Sequence, residues 1–395
     1  MLTSSPVAPP QGRSVYSNIA FTLLMYAVEV HTGKNFTQLM REFSVALKMP
    51  STRPSPGADS LAVIPSTPNN WGSDYGDGVA GGGMVSTVAD LSSFMHAILS
   101  RSPEFGTETE IRYAHPSLHP YLSPPPLTPD PSAWLKPHTF IGATGYQGSP
   151  WEIFRPPPSL LFPPSSPLSH PVTITGKDGV AYGYRARISL LDNYGLGLVL
   201  LTAGDQTALP LLFGAVLSTL VPAIDATARE QAEADYTGSY TSTSNVTVKA
   251  TVSLTGPTLT LTTLSRNGSD ILAALASIFT YSLAPLLPGE MSRTTGVYNI
   301  YPAEVYRSRT LPGGRKVVEE DWRFQWGLEE GVGVESDLPG RGISLGECKS
   351  WKLVDWLYYG GEAVDRVVFV RDGETGEVVG IEVPVLRTGV MLKGG

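Results

Sequence analysis

Cysteine is nearly absent. One thiol, Cys348, stands in 395 residues, which excludes an intrachain disulfide and a thiolate-built metal cluster. Histidine is scarce, six in all, and no His-Glu-x-x-His occurs. His115 and His119 have the spacing of a helical zinc pair, but Pro116 and Pro120 deny them a helix, so no metal and no other cofactor is expected. Charged residues make up only 16% of the chain, the formal net charge is −8, and no basic patch stands out. That balance argues against a nucleic-acid partner, whose phosphates call for clustered lysine and arginine. The apolar run from Ile271 to Leu287 is short for a membrane span and contains Pro285, so it reads as a buried segment and no span is expected. The start of the chain has neither the charged nor the apolar region of a signal peptide. Three sequons, at Asn35, Asn245 and Asn267, weigh little without one. The chain as written is expected in the cytoplasm, and in the secreted fraction if a preceding segment carries a leader.

What is present suffices for two globular cores, with 42% hydrophobic residues. Ile19 to Thr32 reads as a helix, capped by Ser17 or Asn18 and closed by Gly33. It is apolar nearly all round, which predicts a buried helix. Asn35 with Gln38 forms a capping box for a second helix. Gly76 to Gly81 matches G-x-G-x-x-G, but no strand precedes it, so a tight loop into a third helix at Thr87 and Asp90 is preferred. From 116 to 171 the chain carries 16 of its 34 prolines, a density that predicts a long coil wrapping a surface, or partial disorder. Within it lies the cluster Gly148-Ser149-Pro150-Trp151-Glu152-Ile153-Phe154-Arg155.

From Val172 to Leu190 the even positions are mostly apolar, a period of two that marks strands. With Lys177-Asp178-Gly179 interrupting the end of the first strand and a turn at Asp192-Asn193 before Tyr194 to Thr202, three antiparallel strands are expected, Lys177 lying on the wet face of the first. Gln206 to Glu233 follows as a helix that covers the sheet. Composition shifts at Asp235 towards Thr, Ser, Val and Gly with alternating strands, among them Trp351 to Leu357. The prediction is an α+β domain over 1–233, an antiparallel sheet with helices, followed by an all-β barrel or sandwich over 235–395.

Tyr16-Ser17-Asn18 before an apolar helix, the stretch Gly81 to Phe94, and Lys177-Asp178-Gly179 opening a three-strand run with a helix after it form an ordered set. Together they resemble the serine β-lactamase and penicillin-binding-protein superfamily, the class C-related branch in particular. The GSPWEIFR segment and the all-β tail are similar to fungal members with an added C-terminal domain. The first domain would then be a partial β-lactamase/transpeptidase-like domain lacking its N-terminal portion.

That resemblance implies an acyl hydrolase or transferase of small molecules in a setting of fungal secondary metabolism, and the departure at Asp178 points to a neutral ester, lactone or amide as its partner. Tyr16 would be the proton acceptor, Lys177 its electrostatic partner and Asn18 a donor to substrate. Asp178, Gly179 and Val180 would line the substrate, with the Val180 N–H as half of an oxyanion hole. The family's Ser-x-x-Lys is missing: none of the nine lysines has a serine three residues before it. Ser14 and Ser17 are the nearby hydroxyls, read as loop and cap. Asp178 stands where the family has threonine or serine, and an aspartate there would repel a substrate carboxylate. Three readings follow: a shortened member of an enzyme family, a pseudoenzyme that binds without turnover, or a chain whose β domain carries the function.

Overall fold

A computed structural model describes residues 13–100, 134–164, 166, 170–242, 246–256, 258–282, 294–328, 353–387 and 389–394. Cys348, His115, His119, Asn245 and residues 116–133 lie outside them. The chain divides into two units, Met1–Asp225 and Ala226–Gly395.

Helix α1 of the first unit, Asn18–Thr32, is capped by Ser17, whose hydroxyl accepts from the Ala20 N–H, and ends at Gly33 with φ +68°. Its burial departs from expectation. Only Met25 is buried, while Leu23, Leu24 and Val30 are 61%, 58% and 87% exposed. A helix apolar on every side needs cover on every side, and the described residues cover one. Helix α2, Phe36–Ala46, has the capping box of Asn35 and Gln38. Helix α3, Val88–Leu99, starts at Thr87, which accepts from the Asp90 N–H. The glycine run before it is not the loop expected: it winds as a 3-10 turn, Gly76–Gly78, and one short helical turn, Val79–Gly82.

The six-stranded sheet runs β1 (Thr139–Phe140), β2 (Gly145–Gln147), β3 (Glu152–Phe154), β4 (Ile174–Ala181), β5 (Tyr184–Leu191) and β6 (Leu196–Ala203), each antiparallel to its neighbour in that order. Two expectations change here. The proline-rich stretch is not all coil, because β1 to β3 extend the sheet; strands of two or three residues are too short to display alternation. The first hairpin turns at Tyr182-Gly183, with Gly183 at φ +84°, so β4 continues through Lys177-Asp178-Gly179. The turn also inverts parity: Lys177 faces Ile188 across the ladder and Asp178 faces Arg187. Ile174 and Ile188, both even, therefore lie on opposite sides.

Both sides are covered. Met95 and Ile98 of α3 pack with Trp151, Ile153 and Leu190 on one face. On the other, Leu217 and Val221 of α4 (Ala208–Tyr236) pack with Val172, Ile174 and Leu191. Among the described helices α4, rather than the run from Ile271, is long and apolar enough to cross a membrane.

The second unit is a closed barrel. Strands β7 (Gly238–Ser242), β8 (Val248–Thr255), β9 (Thr258–Arg266), β10 (Thr294–Thr310), β11 (Lys316–Leu328), β12 (Arg366–Asp372), β13 (Val378–Glu382) and β14 (Met391–Lys393) pair in the order β8-β7-β14-β13-β12-β11-β10-β9. The pairing of β8 with β9 closes the ring. Helix α5, Ile271–Ser282, inserts Leu272, Leu275 and Phe279 into the core with Tyr240, Tyr298, Phe324 and Phe369. Residues 353–357 form a turn, not the expected strand, and β7 and β14 complete the closure instead.

Candidate active site

Tyr16 precedes α1 and Asn18 is the helix's first residue, so the Ser17 cap fixes both. The Tyr16 hydroxyl donates to Asn18 Oδ1 at 2.7 Å, which leaves the Asn18 amide N–H groups as donors. The glycine run lets the start of α1 sit close: a Cβ on Gly81 would lie 2.9 Å from the Asn18 carbonyl oxygen.

Lys177 reaches this spot from β4. Its Nζ lies 4.5 Å from the centroid of the Tyr16 ring, within cation–π range. The ammonium donates to Glu152 Oε1 at 2.5 Å and to the Asp178 carbonyl oxygen at 2.9 Å. Glu152 opens β3 opposite Gly176, and its Oε2 accepts the Asp178 N–H at 3.2 Å. The Asp178 carboxylate is paired with Arg187 at 2.6 Å. Arg187 in turn donates from Nε to Ser189 Oγ at 3.1 Å and lies 4.5 Å from the ring centroid of Phe213 on α4. Gly176 makes room for this set, since a Cβ there would be 2.5 Å from the Ile188 oxygen and 3.3 Å from Arg187 Nη2.

The fold thus brings Tyr16, Asn18 and Lys177 together. Gly179 sits opposite Ala186, and Val180, 62% exposed, opposite Arg185. Asp178 faces Arg187, which offsets its charge, so the repulsion of a substrate carboxylate cannot be assigned to Asp178 alone. Glu152 and Arg187 are members of the cluster that no motif marked. Glu152 lay in the GSPWEIFR run, and Arg187 in the polar alternation of β5. Ser17 Oγ serves the helix cap, and Ser14 N–H donates to Thr139 Oγ1 at 2.8 Å. Among the described residues no group of three or more His, Cys, Asp and Glu is placed to hold a metal ion. The arrangement can donate a phenolic proton and place an ammonium beside it.

A family profile described as Beta-lactamase matches residues 1–218. A second, described as Beta-lactamase-like-like, C-terminal domain, matches 228–393. The chain is 37% identical to the Beta-lactamase-like protein of Arthroderma benhamiae, over 100% of this chain and 63% of that protein. It is 24% identical to a probable hydrolase of a Phoma species, over 96% of this chain and 57% of that one. The chain therefore spans less than two-thirds of the length of these relatives. Among solved structures it is similar to a penicillin-binding protein homologue from Pyrococcus abyssi, at 16% identity and TM-score 0.34, over 82% of this chain and 65% of that chain.

Proposed function

We propose, since the chain belongs to the beta-lactamase family, that its first unit carries an acyl-substrate cleft for a small-molecule ester, lactone or amide. The observation behind this is the approach of Lys177 to Tyr16, residues from distant parts of the unit, at 4.5 Å. In this reading Tyr16 moves the proton of the attacking or leaving group, Lys177 stabilises the charge that develops beside it, and the Asn18 amide orients the substrate. The Ser-x-x-Lys that supplies the nucleophile in the family, as the resemblance implies, does not occur in this sequence. A second reading, binding without turnover, is favoured by the Tyr16 hydroxyl being engaged by Asn18 Oδ1 at 2.7 Å.

Intact-mass spectrometry with a fluorophosphonate and p-nitrophenyl butyrate tests both. The chain as written is expected to form no adduct. Joined behind a Ser-x-x-Lys segment of a longer relative, it is expected to acylate on that serine. Tyr16→Phe and Lys177→Ala should each slow that acylation by about 10²–10⁴-fold. Acylation indifferent to both substitutions overturns the catalytic roles of Tyr16 and Lys177. An adduct on Ser14 or Ser17 of the unmodified chain overturns the missing nucleophile.

A further inference from the structure

An ammonium has three N–H donors. Two of those on Lys177 are taken, by Glu152 Oε1 at 2.5 Å and the Asp178 carbonyl at 2.9 Å, and the nitrogen sits over the face of Tyr16. The Glu152 carboxylate is held at both oxygens. Oε1 meets the ammonium, while Oε2 accepts the Asp178 N–H and lies 3.8 Å from Arg187 Nη1. Lys177 and Arg187 are balanced by Glu152 and Asp178, so the four charges sum to zero. The Lys177 and Glu152 side chains keep 24% and 33% of their exposure, which leaves their contact within reach of a ligand. A carboxylate arriving from solvent would compete with one already tethered, and tethered groups act at millimolar effective concentration or above.

We propose that Glu152 determines specificity: it is an internal carboxylate that occupies the place on Lys177 a substrate carboxylate would take. The cleft is thereby closed to carboxylate-bearing acyl compounds and left to neutral ones. This rests on the reading of the Tyr16–Lys177 cleft as the substrate site. The role falls to Glu152 rather than Asp178, whose charge goes to Arg187.

Calorimetric titration of the full chain with benzoate, and separately with its neutral methyl ester, tests the assignment. Wild type should bind benzoate weakly, and Glu152→Gln should bind it at least about tenfold more tightly. The gain should vanish in Glu152→Gln/Lys177→Met, because the carboxylate needs the ammonium. Glu152→Ala should repeat the gain and replaces Glu152→Gln if that variant loses its native circular dichroism. A folded neutral variant that binds benzoate no better than wild type overturns the proposal, as does a gain that survives loss of Lys177. If the methyl ester binds no form while the benzoate gain persists, the substrate-cleft reading fails and with it the specificity role, and only the masking of Lys177 by Glu152 stands.

Discussion

Asp90 is only 4% exposed, yet it carries a carboxylate. Its Oδ2 accepts from the Ser51 N–H at 2.8 Å and the Thr52 hydroxyl at 2.7 Å, so one side chain at the start of α3 fixes a loop about forty residues earlier. Asp90→Ala leaves both donors without this acceptor and should cost about 2–3 kcal/mol. Ser92→Ala, on the exposed side of the same helix, should stay within about 0.5 kcal/mol. Urea unfolding of the full chain reads both, and a loss below about 1 kcal/mol at Asp90 counts against the pairing. The sequence exposed Asp90 only as a first-turn acid, because its acceptor role depends on a distant loop. The cleft divides the same way. Tyr16, Asn18 and Lys177 were legible from motif order, whereas Glu152 and Arg187 acquire partners only when β3, β4 and β5 come into register.

Elements were legible where a local device sets them. The Ser17, Asn35 and Thr87 caps, and the glycine after α1, fall where residue type placed them. Burial was less legible, since α1 is apolar all round and the pattern names no face. Parity misled for a similar reason: a two-residue turn moves every later side chain to the other side of the sheet. The turn between β12 and β13 gives a prediction at this scale. Asp372 accepts from the Thr375 and Glu374 N–H groups at 3.0 and 2.8 Å and pairs with Arg315 at 2.6 Å. These contacts, led by the Thr375 N–H, lower its pKa to about 2. A carboxyl whose folded pKa lies below its unfolded value, about 3.9, stabilises the fold above that value. The contribution is lost as pH falls through the folded pKa. Stability should therefore decline between about pH 4 and pH 2, and Asp372→Asn should flatten that part of the profile. An unchanged acid slope in the variant, followed by tryptophan fluorescence during urea unfolding at each pH, would remove Asp372 from the account.

At the scale of the whole molecule, the sequence indicated a second, all-β part but left barrel and sandwich open. Closure also needs β7 and β14, short strands far apart in the chain that pair with each other and set the barrel's first and last strands side by side. The resulting core is self-contained: every buried member of the cluster lies between Tyr240 and Met391. Tyr236, at the end of α4, completes it. Its ring lies 5.0 Å from Trp322 and 4.8 Å from Phe369, and its hydroxyl bonds both Glu320 and Arg371. Arg371 also holds Asp235 at 3.1 Å and Glu320 at 3.1 Å. Residues 226–395 expressed alone should accordingly fold, with a near-ultraviolet dichroism band from these rings and one cooperative urea transition. Residues 238–395 lack Tyr236 and Asp235, which empties an aromatic site and strips two partners from a partly buried guanidinium. That chain should be less stable by about 3 kcal/mol or more. Equal stability of the two would place Tyr236 outside the barrel's core. Loss of the dichroism band in both would mean that the barrel draws on residues before Ala226.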